Sequence, residues 1–372
     1  MDMYKSQAEQ GQNGFNKARK TAEDGDLNRL KAAAALLTSW YDASHRTLPW
    51  RENPTAYSIW ISEIMLQQTR IEAVKPYYDR FMKELPHVTS LASVEDDRLM
   101  KLWEGLGYYN RARNLKKAAQ IMVCEYGGDL PPKYKELLKL PGIGSYTAGA
   151  IASIAFGEAV PAVDGNVLRV LSRIFASRED ISRQQVKKHW EEMLLKILPE
   201  TSPGSLNQGI MELGETICLP NGRPVCESCP VKKLCLAFRD RLTEELPIKS
   251  PPKKRRIEER TVCILEYQDK VGLCKRPDTG LLASLYELPN TEGHLTREEI
   301  FAEFDLKKEE IVQMENLPEA KHIFSHVEWR MIGYRIVLGR PLGKKWISAK
   351  KEELKTIYPL PNAFSRYTKL IK

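Results

Sequence analysis

Apolar side chains recur at intervals of three and four residues from residue 30 to about residue 241. This spacing places them on one face of an α-helix, so it predicts a long all-α region. Gly and Pro residues interrupt the pattern at intervals, as expected where one helix ends and another begins. The predicted helices are 30–39, 59–69, 74–85, 96–104, 112–126, 134–140, 146–156 and 167–176.

The pattern changes after a segment at 247–260 that combines three prolines with the basic run KKRR. Such a segment has little to bury, so we interpret it as a basic, Pro-rich linker. Beyond it, near-alternation of β-branched and aromatic residues predicts strands at 261–267 and 331–337. Helices are predicted at 295–303 and 349–354, so residues 261–372 should form a separate α+β domain. At the other end, residues 1–27 are polar and weakly periodic, which predicts a flexible, dispensable lead.

Composition narrows the class of protein. The 372 residues are 42% hydrophobic and 28% charged, the balance of an ordinary globular protein with two or three domains. No stretch approaches the roughly 18 apolar residues of a membrane span, and the N-terminus lacks the apolar core of a secretory signal. The net charge of +8 suits a polyanionic partner without identifying one.

Four of the seven cysteines fall close together, in the spacing C-x7-C-x2-C-x5-C. They are Cys218, Cys226, Cys229 and Cys235. Because no export signal is visible, disulfides are not expected, and the cluster indicates metal ligation. Four thiolates hold either zinc or a cubane iron–sulfur cluster. Zinc sites usually show two short Cys pairs, and the single short gap here favours iron–sulfur.

Two glycine-containing turns point to nucleic acid. In LPGIGSYT at 140–147, Gly142 and Gly144 permit a tight turn whose exposed amides, ahead of a helix N-terminus, suit a phosphate. We interpret it as a helix–hairpin–helix, although an ordinary interhelical turn has the same glycine spacing. The second turn, GLGYY at 105–109, precedes four basic residues that suit contact with a DNA backbone, or simply form a solvated helix face. These are Arg111, Arg113, Lys116 and Lys117.

Two carboxylates stand out by their surroundings. Glu63 shares a predicted helix face with Ile59 and Leu66, and burial there would raise its pKa and make it a proton donor. Asp164 follows an apolar run and precedes a predicted helix, which is an N-cap position. A capping carboxylate held by backbone amides should stay ionised. One protonated and one ionised carboxyl are the pair needed to cleave a glycosidic bond.

Taken in order, these segments resemble the MutY family of adenine DNA glycosylases. The resemblance lies in WISEIMLQQT at 60–69, the hairpin at 140–147, VDGNV at 163–167 and the four cysteines, and it covers residues 35–370. It implies that adenine opposite 8-oxoguanine is flipped out and excised by an enzyme carrying a [4Fe–4S] cluster on the four cysteines. It also implies that Glu63 protonates the leaving adenine and that Asp164 stabilises the oxocarbenium-like sugar or bonds to it.

The resemblance extends to the residues around these two carboxylates. Tyr146 and Asn166 match positions that support the catalytic pair, and Gln68 and Tyr108 match residues that enter the duplex. The positions that line the adenine pocket in the family are matched by Trp50, Arg51, Leu66 and Gln208. The C-terminal domain resembles a Nudix fold that lacks the metal-binding glutamates, so recognition without hydrolysis is expected there. Its turn Phe324-Ser325-His326 resembles the family's reader of 8-oxoguanine.

Two departures qualify the resemblance. The first cysteine gap is seven residues, one more than is usual in the family, and an insertion at Asn221-Gly222 would absorb it. The related endonuclease III branch carries a Schiff-base lysine in the hairpin, where this chain has Tyr146, so a β-lyase step has no evident nucleophile.

We therefore predict an all-α glycosylase domain at 28–246, the linker at 247–260 and a Nudix-like recognition domain at 261–372. The predicted activity is that of a monofunctional, monomeric, cytoplasmic and nucleoid-associated glycosylase acting on A:8-oxoguanine or A:G mispairs in double-stranded DNA. A bifunctional glycosylase/lyase and a non-catalytic, DNA-binding iron–sulfur protein are the alternatives. Tyr146 disfavours the first alternative, and the Glu63–Asp164 pair disfavours the second.

Overall fold

A computed structural model describes residues 24–200, 202–251 and 254–371 of the chain. The chain divides into two compact units. The first unit contains the described residues up to Gln67 together with 121–251, and the second contains 68–120 together with the described residues from 254 onward. The predicted lead at 1–27 lies outside the described residues except for its last four, which are helical.

The predicted all-α region is built of α-helices and short 3₁₀ turns, and its described residues include no strand. Its helices are α1 (24–44), α2 (Pro49–Glu52), α3 (Ala56–Leu66), α4 (Ile71–Glu84), α5 (Val88–Ser93), α6 (Asp96–Trp103), α7 (Asn110–Glu125), α8 (Tyr134–Leu137), α9 (Ser145–Phe156), α10 (Gly165–Ile174), α11 (Gln184–Leu195), α12 (Pro203–Thr216) and α13 (Leu236–Arg239). Each predicted helix has a counterpart whose ends differ by a few residues. Helices α2, α5, α11, α12 and α13 were not predicted individually.

The glycines of α12 explain why its pattern is hard to recognise, because they make the sequence less helix-like while allowing close packing. A Cβ at Gly204 would lie 2.8 Å from the carbonyl oxygen of Ser153 on α9. A Cβ at Gly214 would lie 2.8 Å from the Cβ of Asn166 on α10. Both distances are too short for an alanine, so α12 approaches α9 and α10 more closely than a helix with side chains could.

Helix α3 is buried on nearly every side. A capping box between Thr55 and Ser58 starts it, and every residue from Tyr57 to Met65 is buried. It packs against α9, which is buried from Thr147 to Ser153. A helix that is apolar all round is expected in the middle of a core. The two helices therefore form the centre of the first unit.

The second unit contains a mixed seven-stranded sheet with the order β3-β2-β1-β6-β5, in which β4 pairs with β1 and β7 with β2. The strands are β1 (Arg256–Tyr267), β2 (Lys270–Lys275), β3 (Tyr286–Glu287), β4 (Asn290–Glu292), β5 (Ile311–Ile323), β6 (Val327–Leu338) and β7 (Ile347–Lys350). Its helices are α14 (Arg297–Phe304), α15 (Glu353–Thr356) and α16 (Ser365–Thr368). Strands β1 and β6 are parallel neighbours, and β5 and β6 form an antiparallel hairpin.

Two predictions for this domain need correction. Strand β1 begins at Arg256, inside the segment assigned to the linker, because residues 256–260 pair with the start of β6. The helix predicted at 349–354 is wrong in its first half, because Ala349 pairs with Val271 as part of β7. In both places pairing with a distant strand overrides the local pattern.

Contacts within the second unit join its helical segment to its sheet domain. Tyr286 donates a hydrogen bond of 2.6 Å to Asp97 on α6, and Lys275 lies 3.2 Å from the same carboxylate. Arg113 on α7 donates to the carbonyl oxygen of Ala283 at 2.7 Å. The predicted domain boundaries follow the order of the chain, whereas these contacts place α4 to α6 with the C-terminal residues. Within the described ranges, no helix combines the length and apolar character needed to cross a membrane.

Candidate active site

Glu63 lies on α3 and keeps only 9% of its surface exposed. The Tyr146 hydroxyl, at the start of α9, donates a hydrogen bond of 2.7 Å to its carboxylate. Burial raises the pKa of Glu63 to about 7, and the nearby charge of Asp164 adds to the rise, while Tyr146 and Arg51 oppose it. Burial also holds the pKa of the Tyr146 phenol well above its ordinary value, so this hydroxyl remains a donor. Glu63 is thus poised to hold a proton near neutral pH.

Asp164 is the N-cap of α10, as the sequence predicts. One carboxylate oxygen accepts a 2.8 Å hydrogen bond from the Val167 amide, and the other accepts 2.9 Å from the Asn166 side chain. Burial raises the pKa of Asp164, and these hydrogen bonds with the charge of Arg169 oppose the rise. Burial outweighs these donors, so the pKa of Asp164 lies above its ordinary value, and the ionised cap expected from the sequence stays a prediction.

Asn166 is itself held from two sides, by residues that the sequence did not single out. Its side-chain amide donates to Glu215 at 3.0 Å, and its carbonyl accepts 2.8 Å from Arg169. Arg169 also donates to the carbonyl oxygens of Gly214 and Cys218, each at 2.9 Å. The signal in the sequence is a basic residue within the apolar run VLRVL, three positions after Asn166. A chain of hydrogen bonds thus connects Asp164 to the backbone of the first clustered cysteine.

Two of the four predicted pocket residues lie on α2, where Trp50 is buried and Arg51 is nearly so. Arg51 lies 3.0 Å from the carboxylate of Glu212 on α12, and Arg46 reaches its other oxygen at 2.5 Å. Burial alone would raise the pKa of Glu212, but the two guanidinium groups outweigh it and lower the value. Leu66 and Gln208 are half-buried at the end of α3 and on α12. Glu212 was missed, although an acid within the apolar run IMEL is a recognisable signal.

The predicted hairpin lies immediately before α9. Gly142 adopts a φ of +79°, a left-handed conformation that favours glycine, and Gly144 is the N-cap of the helix. Both glycines are exposed, and no side chain caps the first amides of α9. Lys187 lies beside them, with its ammonium 3.0 Å from the Ser145 hydroxyl. The turn therefore offers backbone donors and a positive charge at the surface.

The four clustered cysteines lie between α12 and α13 and are half-buried free thiols. The thiols of Cys218, Cys226 and Cys235 all raise the pKa of Cys229, after the larger effect of burial, so the four lie within electrostatic reach of one another. Val225 is the last residue of the seven-residue gap between Cys218 and Cys226. Its amide donates a 3.0 Å hydrogen bond to the carbonyl oxygen of Ile217, just before Cys218. Across the described residues, no three His, Cys, Asp or Glu side chains are placed so that they could hold a metal ion. The cysteine ligands thus stay a prediction.

In the second unit, the two predicted duplex-entering residues share an uncommon backbone conformation. Gln68 has a φ of +57° and Tyr108 a φ of +47°, in a region that non-glycine residues rarely occupy. Both are exposed, Tyr108 by 47%. The Tyr108 hydroxyl lies 3.0 Å from that of Ser325, in the predicted reader turn. Strained residues cluster at functional sites, so the observation adds weight to both assignments.

Arg111, the first of the four basic residues after Tyr108, has a different role from the one expected, whereas Lys117 is exposed and its contact with a DNA backbone stays a prediction. Arg111 is buried and donates to the carbonyl oxygens of Leu106 and Gly107 at 3.1 Å, with its guanidinium near the Tyr108 ring. Lys116 pairs with Asp96. The bonds of Arg111 hold the turn that presents Tyr108, so Arg111 is not a surface cation available to a DNA backbone.

The turn Phe324-Ser325-His326 closes the hairpin between β5 and β6. The Phe324 amide donates to the Val327 carbonyl oxygen at 2.8 Å, and the Arg256 amide donates to that of His326 at 3.0 Å. Ser325 and His326 are exposed, whereas Phe324 is half-buried. The turn therefore presents two polar side chains on a bonded backbone.

Comparisons with known proteins agree with this geometry. Residues 61–196 match the model of the HhH-GPD superfamily of base excision DNA repair proteins, and residues 261–370 match a NUDIX domain. The adenine DNA glycosylase of Mus musculus is 35% identical over 87% of this chain and 75% of its own length. The adenine DNA glycosylase of Buchnera aphidicola (from Acyrthosiphon pisum) is 35% identical over 78% of this chain and 82% of its own. This chain belongs to the adenine DNA glycosylase family.

Solved structures extend the likeness for the helical part of this family member. A thermostable thymine-DNA glycosylase matches with a TM-score of 0.52 and 29% identity, over 57% of this chain and 98% of its own. Endonuclease III in a non-covalent DNA complex matches with a TM-score of 0.50 and 26% identity, over 58% and 98%. The predicted family, the fold class and the class of enzyme, a DNA glycosylase of base excision repair, are confirmed. The roles of individual residues stay predictions.

The buried Glu63 carboxyl should destabilise this glycosylase at neutral pH. Below about pH 4.5 the group is protonated in both the folded and unfolded states, so its burial has no pH-dependent effect. As the pH rises toward 7, the unfolded carboxyl ionises while the folded one keeps its proton, which favours unfolding. The span from 4.5 to about 7 corresponds to roughly 3 kcal/mol. Glu63→Gln should therefore raise the free energy of unfolding at pH 8 by up to that amount and much less at pH 4.5, measured by urea denaturation.

The matched control is Glu192→Gln on α11, whose carboxylate is 61% exposed. It should leave the difference in stability between the two pH values unchanged. An equal effect of the Glu63 and Glu192 replacements would show that burial of the Glu63 carboxyl does not act in this way.

Proposed function

We propose that this chain hydrolyses the N-glycosidic bond of adenine mispaired with 8-oxoguanine or guanine in double-stranded DNA. The observation that carries the proposal is Glu63, a buried carboxyl with a pKa of about 7 within electrostatic reach of the multiply hydrogen-bonded Asp164. A proton donor and a carboxylate with different environments are what acid-assisted glycosidic cleavage requires. The adenine DNA glycosylases to which it is similar support the choice of base.

The reaction follows from the two environments. Protonated Glu63 gives its proton to the leaving adenine, and the electrons of the C1′–N bond move to the base. Positive charge develops on the sugar, where ionised Asp164 stabilises it or bonds to C1′. Water then adds to C1′ and its proton returns to Glu63. Tyr146 keeps the Glu63 carboxyl oriented through its 2.7 Å hydrogen bond.

Reaching that bond requires the adenine to leave the helical stack. We assign backbone contact to the amides at Gly142 and Gly144, since a helix N-terminus favours a phosphate. Gln68 and Tyr108 enter the duplex where the base has left. The extruded adenine lies against four side chains, of which Arg51 is already oriented by Glu212. The four are Trp50, Arg51, Leu66 and Gln208.

The reaction stops at the abasic site, because Tyr146 offers no amine that could attack C1′ and start β-elimination. We also propose that Cys218, Cys226, Cys229 and Cys235 hold a [4Fe–4S] cluster, since four half-buried thiols in mutual electrostatic reach are the donor set for it. When bound, the cluster supplies a structural cross-link for the loop. As a DNA repair enzyme, the protein acts on the nucleoid in the cytoplasm, as a monomer.

In the C-terminal domain, we propose that Phe324, Ser325 and His326 read the base opposite adenine. The two exposed polar side chains suit the imidazole edge, where 8-oxoguanine carries a carbonyl and an N–H that guanine lacks. The hydrogen-bonded pair of Ser325 and Tyr108 brings this reader beside a residue assigned to the duplex. Nudix hydrolysis is not assigned to this domain.

Excision should depend on the Glu63 proton. Glu63→Gln should slow single-turnover adenine release from an A:8-oxoguanine duplex by roughly 10²- to 10⁴-fold, the contribution of general acid catalysis. With the wild-type protein, the rate should fall as the pH rises above about 7, because the folded carboxyl then loses its proton. The product strand should break only after treatment with alkali.

The control for this assay is binding of the same duplex, which Glu63→Gln should preserve because the side chain keeps its size. Strand breakage without alkali, or trapping of the protein on DNA by borohydride, would indicate a lyase instead. Near-normal excision by Glu63→Gln would remove this residue from the mechanism.

The metal content of the purified protein tests the assignment of a [4Fe–4S] cluster. Protein purified without oxygen should be brown and contain about four irons per chain. Cys229→Ser should lower iron content and folded yield together, because ligation and folding are coupled. Cys124→Ser is the matched control, since Cys124 is an exposed thiol on α7. A fully active protein loaded with zinc in place of iron would refute the assignment.

The reader is tested by a double change, Ser325→Ala with His326→Ala. Polar contacts to a base edge contribute roughly 1–3 kcal/mol of discrimination, or about 5- to 150-fold. The ratio of excision rates opposite 8-oxoguanine and guanine should fall by up to this factor, measured under single-turnover conditions. An unchanged ratio would mean that these two side chains do not read the opposite base.

A further inference from the structure

We propose that Trp329, held by Glu258 and Arg260, is the positioning residue that fixes the turn Phe324-Ser325-His326 and thereby sets discrimination between 8-oxoguanine and guanine. The proposal rests on the reader function proposed above and names the part of the fold that makes it selective. All of these residues belong to the second unit. Trp329, Glu258 and Arg260 act through the turn and do not contact the base themselves.

The Trp329 ring lies directly behind the turn. It is fully buried on β6, and the Phe324 ring meets it edge-on, with centroids 5.0 Å apart and an interplanar angle of 72°. Edge-to-face pairs stabilise a structure beyond the area that they bury. Phe364 packs against another part of the same indole at 5.9 Å. Phe324 therefore anchors the first residue of the turn to the core.

The indole is held in one orientation by a charged pair. Its N–H donates a 2.8 Å hydrogen bond to the carboxylate of Glu258, and the guanidinium of Arg260 lies 4.4 Å from the ring centroid. Arg260 also lies 3.3 Å from the Glu258 carboxylate. Burial would raise the pKa of Glu258, but the indole and two arginines outweigh it and keep the carboxylate ionised. A charge-assisted hydrogen bond of this kind leaves the ring little freedom to rotate.

The same few residues hold the backbone of the turn. Arg256 donates its amide to the His326 carbonyl oxygen, and β1 pairs with β6 so that Glu258 lies opposite Trp329. Residues 256, 258 and 260 alternate along β1, so their side chains share one face of the sheet. The first five residues of β1, which the sequence assigned to a linker, thus fix the turn through both its backbone and its aromatic anchor.

This support matters because hydrogen bonds weaken steeply when their angle departs from linear. Ser325 and His326 are exposed, so apart from the contact of the Ser325 hydroxyl with Tyr108 their direction depends on the backbone that carries them. If the Phe324 anchor rotates, the polar atoms of both side chains move relative to a base edge. Discrimination should therefore decrease although both reading residues are present.

The test uses two variants of the full chain, Trp329→Phe and Glu258→Gln. The first removes the indole N–H and part of the ring against Phe324, and the second keeps an acceptor but removes its charge. We expect each to lower the ratio of single-turnover rates opposite 8-oxoguanine and guanine, Trp329→Phe by roughly 5-fold or more, which corresponds to 1 kcal/mol or more. Amide exchange at Phe324 and Arg256 should become faster relative to the rest of the sheet.

The matched control is Trp346→Phe. Trp346 packs against Phe304 in the core on the other side of the same sheet and touches none of the turn residues described above. It should leave both the rate ratio and amide exchange in the turn unchanged. Trp346 is half-buried whereas Trp329 is fully buried, so urea denaturation of both variants is measured as well, and a change in the rate ratio larger than the loss of stability accounts for separates positioning from folding.

The outcomes distinguish this proposal from the function on which it rests. If the wild-type protein removes adenine equally fast opposite both bases, the reader function is wrong, and faster exchange in Trp329→Phe still decides whether Trp329 fixes the turn. If the wild type discriminates but Trp329→Phe and Glu258→Gln keep its full ratio and exchange rates, the positioning role is wrong.

Discussion

The Glu63 carboxyl lies on a helix that is buried on nearly every side, and a single 2.7 Å hydrogen bond from Tyr146 satisfies it. Keeping a carboxyl in such a place requires either a proton or a counter-charge. Burial keeps the proton on Glu63 by raising its pKa. The nearby cation, Arg51, is paired with Glu212. The helices around α3 are therefore arranged so that an unfavourable group is retained. Its instability when ionised is the property that suits it to the proposed role of proton donor.

Helix α12 shows how that arrangement is achieved. Its glycines let it lie close to α9 and α10. The side chains between these glycines therefore reach Tyr146 and Arg51. Met211 lies 3.3 Å from the Tyr146 hydroxyl, and Glu212 holds Arg51. Close packing at Gly214 also lets Arg169, which holds Asn166 on the same helix, donate to the Gly214 carbonyl oxygen. A helix with larger residues at these positions would stand too far away to reach the surroundings of both Glu63 and Asp164.

In the second unit, buried side chains likewise fix the position of an exposed turn. Ser325 and His326 are exposed, and what defines their position is a buried ring, an ionised carboxylate and a strand pairing beneath them. On the helical side of that unit, the buried guanidinium of Arg111 holds the strained turn that presents Tyr108. In both cases polar groups within the protein fix the direction of surface residues. The sequence predicts a linker at the start of β1 and a DNA contact at Arg111, rather than these supporting roles.

Much of this protein follows from the sequence alone, because local patterns decide it. Helical spacing identifies most of the helices, an acid between apolar neighbours marks Glu63, an N-cap position marks Asp164, and the order of the motifs identifies the family. The tertiary structure decided what depends on distant residues. The partners of Arg51 and Asn166 lie on α12, whose glycines conceal its helical pattern while allowing its close approach. The start of β1 became visible only through pairing with β6, about 70 residues later. Such pairings and buried charge networks leave weak local signals, because their free energy comes from burial and contact after folding rather than from the residues beside them in the chain.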